Sequence, residues 1–293
     1  MSLTSFMIRF SCTRSDRKRD KGLKTPEDIK RFDDISYGAN RYQVLDVYRP
    51  ANATEVLPVI VSVHGGAWMY GSKEVYQWYC MNLAQRGFAV VNFTYRLAPE
   101  YKFPAGIEDT NKVFSWVMEN AQMYGFDTEN IFAVGDSAGA HMLAVYAAML
   151  TNSEYAVQFD FPLTKVSLKA VALNCGKYEM RTLNNPENAQ QKRMLKEILP
   201  QKGTDSELLW ATPLAFITEQ FPPAYIMTAT DDFLKDQSPI MAEKLKECGV
   251  EHVYHMYGDE ATSLGHVFHV DIKREEAKIC NDDECAFFRS FIK

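Results

Sequence analysis

The stretch Gly135-Asp136-Ser137-Ala138-Gly139 places a serine between two glycines at the spacing G-x-S-x-G. Ile131 to Val134 before it is a short β-branched and aromatic run, which predicts a buried strand. Ala138 to Thr151 after it is rich in Ala, Met and Leu, which predicts a helix. A strand that turns sharply into a helix lifts its serine to the crest of a sheet. The backbone is strained there, so small residues must flank the serine. The helix N-terminus behind Ser137 favours negative charge, as acyl transfer to a serine oxygen requires.

A serine hydroxyl is a weak nucleophile. It needs a base, a carboxylate to orient that base, and donors for the oxyanion. On such a scaffold the acid and then the base follow the serine in the chain. Four histidines follow Ser137 outside its own helix: His252, His255, His266 and His269. His252 and His255 fall in the predicted strand 251–257. His266 ends the loop after that strand, where a base would hang over the sheet edge, and His269 is the reserve candidate. The acid is expected just past the strand 225–230, where Asp231, Asp232 and Asp236 stand. Asp232 is the favoured orienting acid, with Asp236 expected to cap the next helix and Asp231 in reserve. The oxyanion donors are expected from the N–H of Ala138 and from the loop His64-Gly65-Gly66-Ala67, which directly follows an apolar strand. Gly65, Gly66 and Ala67 all stay open as donors, and His64 reads as a residue that fixes the loop.

The elements that must position these groups alternate. Strands are predicted at 42–48, 56–63, 88–95, 131–134, 166–173, 225–230 and 251–257. Helices are predicted at 74–86, 106–124, 138–151, 238–248 and 284–293, with shorter ones around 25–32 and 194–199. This rhythm predicts an α/β fold, a mostly parallel central sheet covered by helices on both faces. Residues 1–293 read as a single domain. Residues 174–223 break the rhythm and read as a small lid over the carboxyl ends of the strands, with 1–35 as a further part of it. Ligands bind at that end of an open α/β sheet.

The motifs in order are His64-Gly65-Gly66-Ala67-Trp68, Tyr95-Arg96-Leu97-Ala98-Pro99-Glu100, Phe103-Pro104-Ala105, Glu108-Asp109 and Gly135-Asp136-Ser137-Ala138-Gly139. Asp232-Phe233-Leu234-Lys235-Asp236 and Gly265-His266-Val267-Phe268 complete the set. Together they resemble the hormone-sensitive-lipase-like esterases, a family of α/β-hydrolases, over roughly residues 42–293. The resemblance implies Ser137, Asp232 and His266 as a catalytic triad and no metal or organic cofactor. It points to Gly66 and Ala67 among the loop donors. Two positions depart from the family. Ala67 replaces a usual third glycine, which requires a negative φ there, and Phe233 stands where proline is usual.

The function expected is a serine carboxylesterase acting on short, acetyl-like esters, with an acylated sugar, acetylated or feruloylated, among the candidate substrates. Trp68, Tyr178, Trp210 and Phe268 are the candidate substrate-contacting residues. Arg96 is expected to bind Glu100, Glu108 or Asp109 rather than substrate, and Asp136 to brace surrounding loops. The alternatives are an amidase of the kynurenine-formamidase type, whose His-Gly-Gly-x-Trp signal residues 64–68 also meet, and a ligand receptor without catalysis. Such receptors typically lack the histidine present here at 266.

Composition narrows the setting. The chain has 293 residues, 46% hydrophobic and 24% charged, with a net charge of −6. That balance suits a globular domain with a sizeable core and argues against a nucleic-acid partner. The basic residues between Arg14 and Lys24 are interrupted by acids and read as a solvated segment. No apolar run approaches the ~20 residues of a membrane span. The six cysteines are scattered without zinc-type spacing; Cys280 and Cys285 are close enough to meet. Reduced thiols and a start without a secretory pattern lead to an expected cytoplasmic location. A homodimer is the assembly left to test.

Overall fold

The computed structural model describes residues 2–184 and 187–292. It begins with α1 (Leu3–Asp20), β1 (Ile29–Ser36), β2 (Val44–Pro50), β3 (Leu57–Val63), α2 (Lys73–Ala84) and β4 (Ala89–Thr94). Next come α3 (Ala105–Glu119), the single turn α4 (Ala121–Tyr124), β5 (Phe126–Asp136), α5 (Ala138–Thr151), α6 (Ser153–Ala156) and β6 (Ala170–Asn174). The segment after β6 carries α7 (Ala189–Ile198) and α8 (Asp205–Trp210). The chain then forms β7 (Ala224–Ala229), α9 (Gln237–Glu247), β8 (His252–Tyr257) and α10 (Glu275–Arg289).

Among the described residues the strands form one sheet in the order β1-β2-β4-β3-β5-β6-β7-β8. β1 and β2 pair antiparallel, as do β2 and β4, and the other neighbours are parallel. The near-continuous apolar runs of β3 and β4, and of residues 131–134 within β5, are explained by cover on both faces. Val59, Val61 and Val63 point into one core with Val113, Leu143 and Ala147 from α3 and α5. Ile60, Val90 and Phe132 point into the other, with Leu83 from α2 and Phe288 from α10. This mostly parallel sheet covered on both faces is the α/β architecture expected. No helix among the described residues is long and apolar enough to cross a membrane.

The N-terminal region differs from its reading. Residues 29–36 are an edge strand rather than part of a helix at 25–32 or of a lid, and residues 3–20 form a long helix. Ser2 and Ser5 close a capping box at its start. Its anchors are polar. Arg9 donates to the carbonyls of Met69 (2.8 Å) and Ala98 (3.2 Å), and Tyr70 Oη donates to Asp16 (2.7 Å). The helix expected over 106–124 breaks at Asn120, whose side chain donates to the carbonyl of Trp116 and competes with the backbone ladder. The closing helix starts at Glu275, well before residue 284, and ends at Arg289.

Residues 175–223 cover a small apolar cluster of their own, including Met180, Leu183, Leu195, Ile198 and Leu208. Within the polar stretch expected at 184–193, Asn185 and Pro186 lie outside the described residues, as does Lys293 at the end of the expected last helix. All six cysteines, Cys280 and Cys285 included, are free thiols.

Candidate active site

Ser137 sits between β5 and α5 with φ 54° and ψ −116°, a conformation that non-glycine residues rarely adopt. Its N–H donates to the carbonyl of Asn174 at the end of β6, 2.9 Å away, which ties the turn to the neighbouring strand. A Cβ on Gly139 would collide with the carbonyl oxygen of Val63, and one on Gly135 would approach the carbonyl carbon of Gly139 to 2.7 Å. The G-x-S-x-G pattern is therefore a packing requirement at this turn.

His266 hangs from the loop after β8. A bridge between Asp231 and Gly265 holds the base of that loop, and Ser263 Oγ donates to the Asp231 carboxylate. The His266 ring lies between two partners: Nδ1 is 2.7 Å from Asp232 Oδ1, and Nε2 is 2.9 Å from Ser137 Oγ. Asp232 is buried and accepts from Thr228 Oγ1 (2.9 Å) and the N–H of Leu234 (2.8 Å). Burial opposes its charge, yet the His266 hydrogen bond and the Leu234 N–H hold its carboxyl below the usual value. Neither reserve residue hydrogen-bonds Ser137 or His266. Asp231 serves the loop, and His269 is fully buried beside Tyr79, with burial lowering its pKa to about 3. Asp236 stands at the start of α9 but makes no capping hydrogen bond through its side chain, contrary to expectation.

The loop after β3 sorts its own N–H groups. That of Gly65 donates to Tyr76 Oη at 3.1 Å, so it is already satisfied. The N–H groups of Gly66, Ala67 and Ala138 bond no acceptor among the described residues. Gly66 has φ +122°, and a Cβ there would strike the carbonyl of Tyr70. Ala67 has φ 51°, not the negative value expected, and Trp68 has φ 59°. The cause is the tight turn in which the N–H groups of Met69 and Tyr70 both donate to the Gly66 carbonyl. The left-handed conformation costs an alanine about 1–2 kcal/mol. His64 fixes the loop as expected: its carbonyl accepts from Tyr95 Oη (2.8 Å), its ring stacks on Tyr95 at 4.0 Å, and burial lowers its pKa to about 4. Asp136 accepts from Tyr76 Oη at 2.7 Å, and burial raises its pKa to about 6.

Two clefts meet at Ser137. One, of ≈ 490 Å³, opens toward α7 and is bordered by Ala67, Trp68, Lys177, Leu183 and Phe233. The other, of ≈ 260 Å³, opens toward α1 and is bordered by Gly66, His266, Cys12 and Arg19. Of the four aromatic residues expected at the substrate, Trp68 borders the first cleft, with Nε1 donating to His141 Nδ1 at 3.1 Å. The other three are taken up by packing. Tyr178 is fully buried and donates to the carbonyl of Leu173 (3.0 Å). Trp210 packs edge-on against Phe103 at 4.6 Å. Phe268 is buried against Tyr257. Aromatic side chains fill cores first, and sequence position alone does not separate the two roles.

The sequence reading missed Phe233 as a site residue. It is 77% exposed, borders both clefts and lays its ring 4.3 Å from that of His266. Its departure from the usual proline was the available signal. Lys177 was also missed, and no motif marks it. Arg96 pairs with Glu108 and Asp109, each at 2.8 Å, while Glu100 pairs with Arg9. Cys175 joins Asp232 and His266 in a group whose donor atoms lie within 4.8 Å of one another. Burial holds the Cys175 thiol in its neutral form, and His266 and Asp232 are engaged with each other, so the trio is a poor metal site. A hydroxyl, an imidazole and a buried carboxylate in series, beside unbonded N–H groups, can move a proton off the hydroxyl and hold a nearby oxyanion.

The profile of the BD-FAE family matches residues 45–245. Carboxylesterase NlhH of Mycobacterium tuberculosis is 30% identical over 279 residues, covering 85% of this chain and 82% of that protein. Esterase LipC of the same organism is 28% identical over 242 residues, 80% of this chain. The chain spans 59% of the length of LipC. Among solved structures, esterase B from Lactobacillus Rhamnosis superposes with a TM-score of 0.89 at 24% identity, over 98% of this chain and 95% of that one, which speaks for the fold.

Proposed function

This chain belongs to the BD-FAE family of α/β-hydrolases, and from that premise we propose that it is a serine carboxylic ester hydrolase with Ser137, His266 and Asp232 as its triad. One observation carries the reading: His266 is within hydrogen-bond reach of both Ser137 Oγ and Asp232 Oδ1, and Ser137 borders two clefts.

Asp232 holds the imidazole as the Nδ1–H tautomer, which leaves Nε2 to accept the serine proton. Ser137 Oγ attacks the ester carbonyl, and the N–H groups of Gly66, Ala67 and Ala138 receive the oxyanion. The C–O bond to the alcohol breaks, and His266 returns its proton to the departing oxygen. Water, deprotonated by the same His266, attacks the acyl-enzyme and releases the acid and free Ser137. These steps call on no metal or organic cofactor.

We assign the segment 174–223, together with α1, the role of a lid over the clefts. Short acyl groups are the favoured substrates. Trp68, pinned to His141, makes a fixed wall beside Ser137. An acylated sugar remains within this class.

The test is hydrolysis of 4-nitrophenyl esters from acetyl to decanoyl, beside Ser137→Ala and His266→Ala. Activity that falls beyond butyryl and is lost in both variants is the expected result. No turnover at any chain length, or full turnover in Ser137→Ala, would overturn the reading.

A further inference from the structure

The larger cleft at Ser137 holds a cation that ester hydrolysis does not require. Lys177 lies just after β6, is 5% exposed, and borders that cleft with Ser137 and Trp68. Its ammonium donates to the hydroxyl of Thr182, whose own proton goes to the carbonyl of Glu179 at 2.8 Å. It makes no ion pair among the described residues. Glu179 attracts the ammonium through space, but its carboxylate is held by Arg181 through contacts of 2.8 and 2.5 Å. An ammonium has three donors, and one neutral hydroxyl satisfies one of them. Burial draws the Lys177 amine down to about 8, so it still carries its charge at neutral pH. A buried charge with no acid in direct contact is costly.

A second buried donor faces the same space. Gln237 is 7% exposed and borders the cleft. Its Oε1 accepts from the N–H groups of Tyr178 (3.1 Å) and Glu179 (2.9 Å). That fixes the orientation of the amide and leaves its NH2 without an acceptor among the described residues. Asp236, an acid that borders the cleft, is exposed and pairs with neither group. The wall thus presents an ammonium and an amide N–H pair that share no acceptor among the described residues.

We propose that Lys177 and Gln237 form a subsite for a carboxylate carried by the substrate, so that the preferred substrates are monoanionic esters. The proposal rests on the reading of Ser137 as the nucleophile of an esterase. A carboxylate oxygen would receive charge-assisted hydrogen bonds in a partly desolvated cleft, where they are strongest. The carboxylate sits on either the acyl or the alcohol side of the ester, and the test separates the two.

The experiment measures kcat/KM for two matched pairs. On the acyl side these are 4-nitrophenyl hydrogen glutarate and 4-nitrophenyl valerate; on the alcohol side, 4-acetoxybenzoate and 4-acetoxybenzamide. Wild type is expected to favour the anionic member of one pair by about tenfold or more. Lys177→Met abolishes that preference. Gln237→Glu keeps the acceptor for Tyr178 and Glu179 but adds a negative charge, and it reverses the preference. Thermal melts show that each variant is folded, and the second variant carries the test should the first fail to fold. A wild type that favours the neutral member of both pairs overturns the proposal, as does an anionic preference that survives in the folded variants. No turnover of any of the four esters would instead contradict the esterase reading itself.

Discussion

Nε2 of His266 stands 2.9 Å from Oγ of Ser137, although 129 positions of chain separate them. Neither residue is placed by local sequence alone. Ser137 is raised by the strained turn between β5 and α5, and His266 is lowered onto it from the far edge of the sheet by the loop after β8. The contact therefore reports on the whole parallel sheet between them.

Asp232 sets the direction of that contact. In Asp232→Asn the amide nitrogen faces Nδ1, which favours the wrong tautomer of His266. We expect kcat to fall on the order of 10³–10⁴-fold with little change in KM. Steady-state kinetics on 4-nitrophenyl acetate, with a thermal melt as control, would check this. A loss below tenfold would mean that something else orients the ring.

Gly66 combines φ +122° with backbone contact to Tyr70. Gly66→Ala must shift the loop that presents the N–H groups of Gly66 and Ala67. Loss of one such donor lowers kcat about 10²–10³-fold. Comparison with Gly87→Ala, at a glycine with φ +90° and open space around it, separates loop displacement from backbone strain. Equal kinetics in the two variants would exclude an oxyanion role for this loop.

Asp109 is fully buried and accepts from the backbone N–H of Arg96 (2.8 Å), from its Nε (2.9 Å) and from Gln43 Nε2 (2.6 Å). Removing one partner of a buried pair leaves the other uncompensated, so Asp109→Ala is expected to cost about 3 kcal/mol of stability. Denaturant unfolding measures it. A normal midpoint combined with a raised KM would give Arg96 a substrate role instead.

Glu284 on α10 is buried, accepts from Tyr79 Oη (2.9 Å) and Asn174 Nδ2 (2.6 Å), and burial raises its pKa from 4.5 to about 7. The folded state then holds its proton more tightly than the unfolded one. That contribution to stability is complete below about pH 4.5 and is lost as pH rises toward 7. Glu284→Gln mimics the neutral form. The stability of the variant relative to wild type should rise between pH 5 and pH 8, by at most about 3 kcal/mol. Melts at the two pH values decide it, and parallel shifts would contradict the assignment.

Much of this was legible in the chain. The strands β3, β4 and β7, and residues 131–134 within β5, are short apolar runs, and the serine turn is specified by glycines that cannot bear a Cβ. The place of His266 after the last strand and of Asp232 after β7 marked both as candidates, and hydrogen bonds bring them together with Ser137. α1 was not legible because its anchors are Arg9, Asp16 and Arg19 rather than an inward apolar stripe. β1, with its sequence Ile-Lys-Arg-Phe-Asp-Asp-Ile-Ser, is a polar edge strand whose pairing comes from β2. Tyr178, Trp210 and Phe268 were placed at the substrate because aromatic side chains suit both a pocket and a core. The positive φ of Ala67 is imposed by a turn that closes on Gly66, which no single-residue preference reveals.

The central claim is that Ser137 is the nucleophile and His266 its base. A 4-nitrophenyl phosphonate ester tests it most directly, because it leaves a stable adduct on an activated serine. Intact mass and peptide mapping should show stoichiometric labelling of the peptide that contains Ser137, no labelling in Ser137→Ala, and much slower labelling in His266→Ala. A stoichiometric adduct on another residue, or undiminished labelling of Ser137→Ala, would contradict the account.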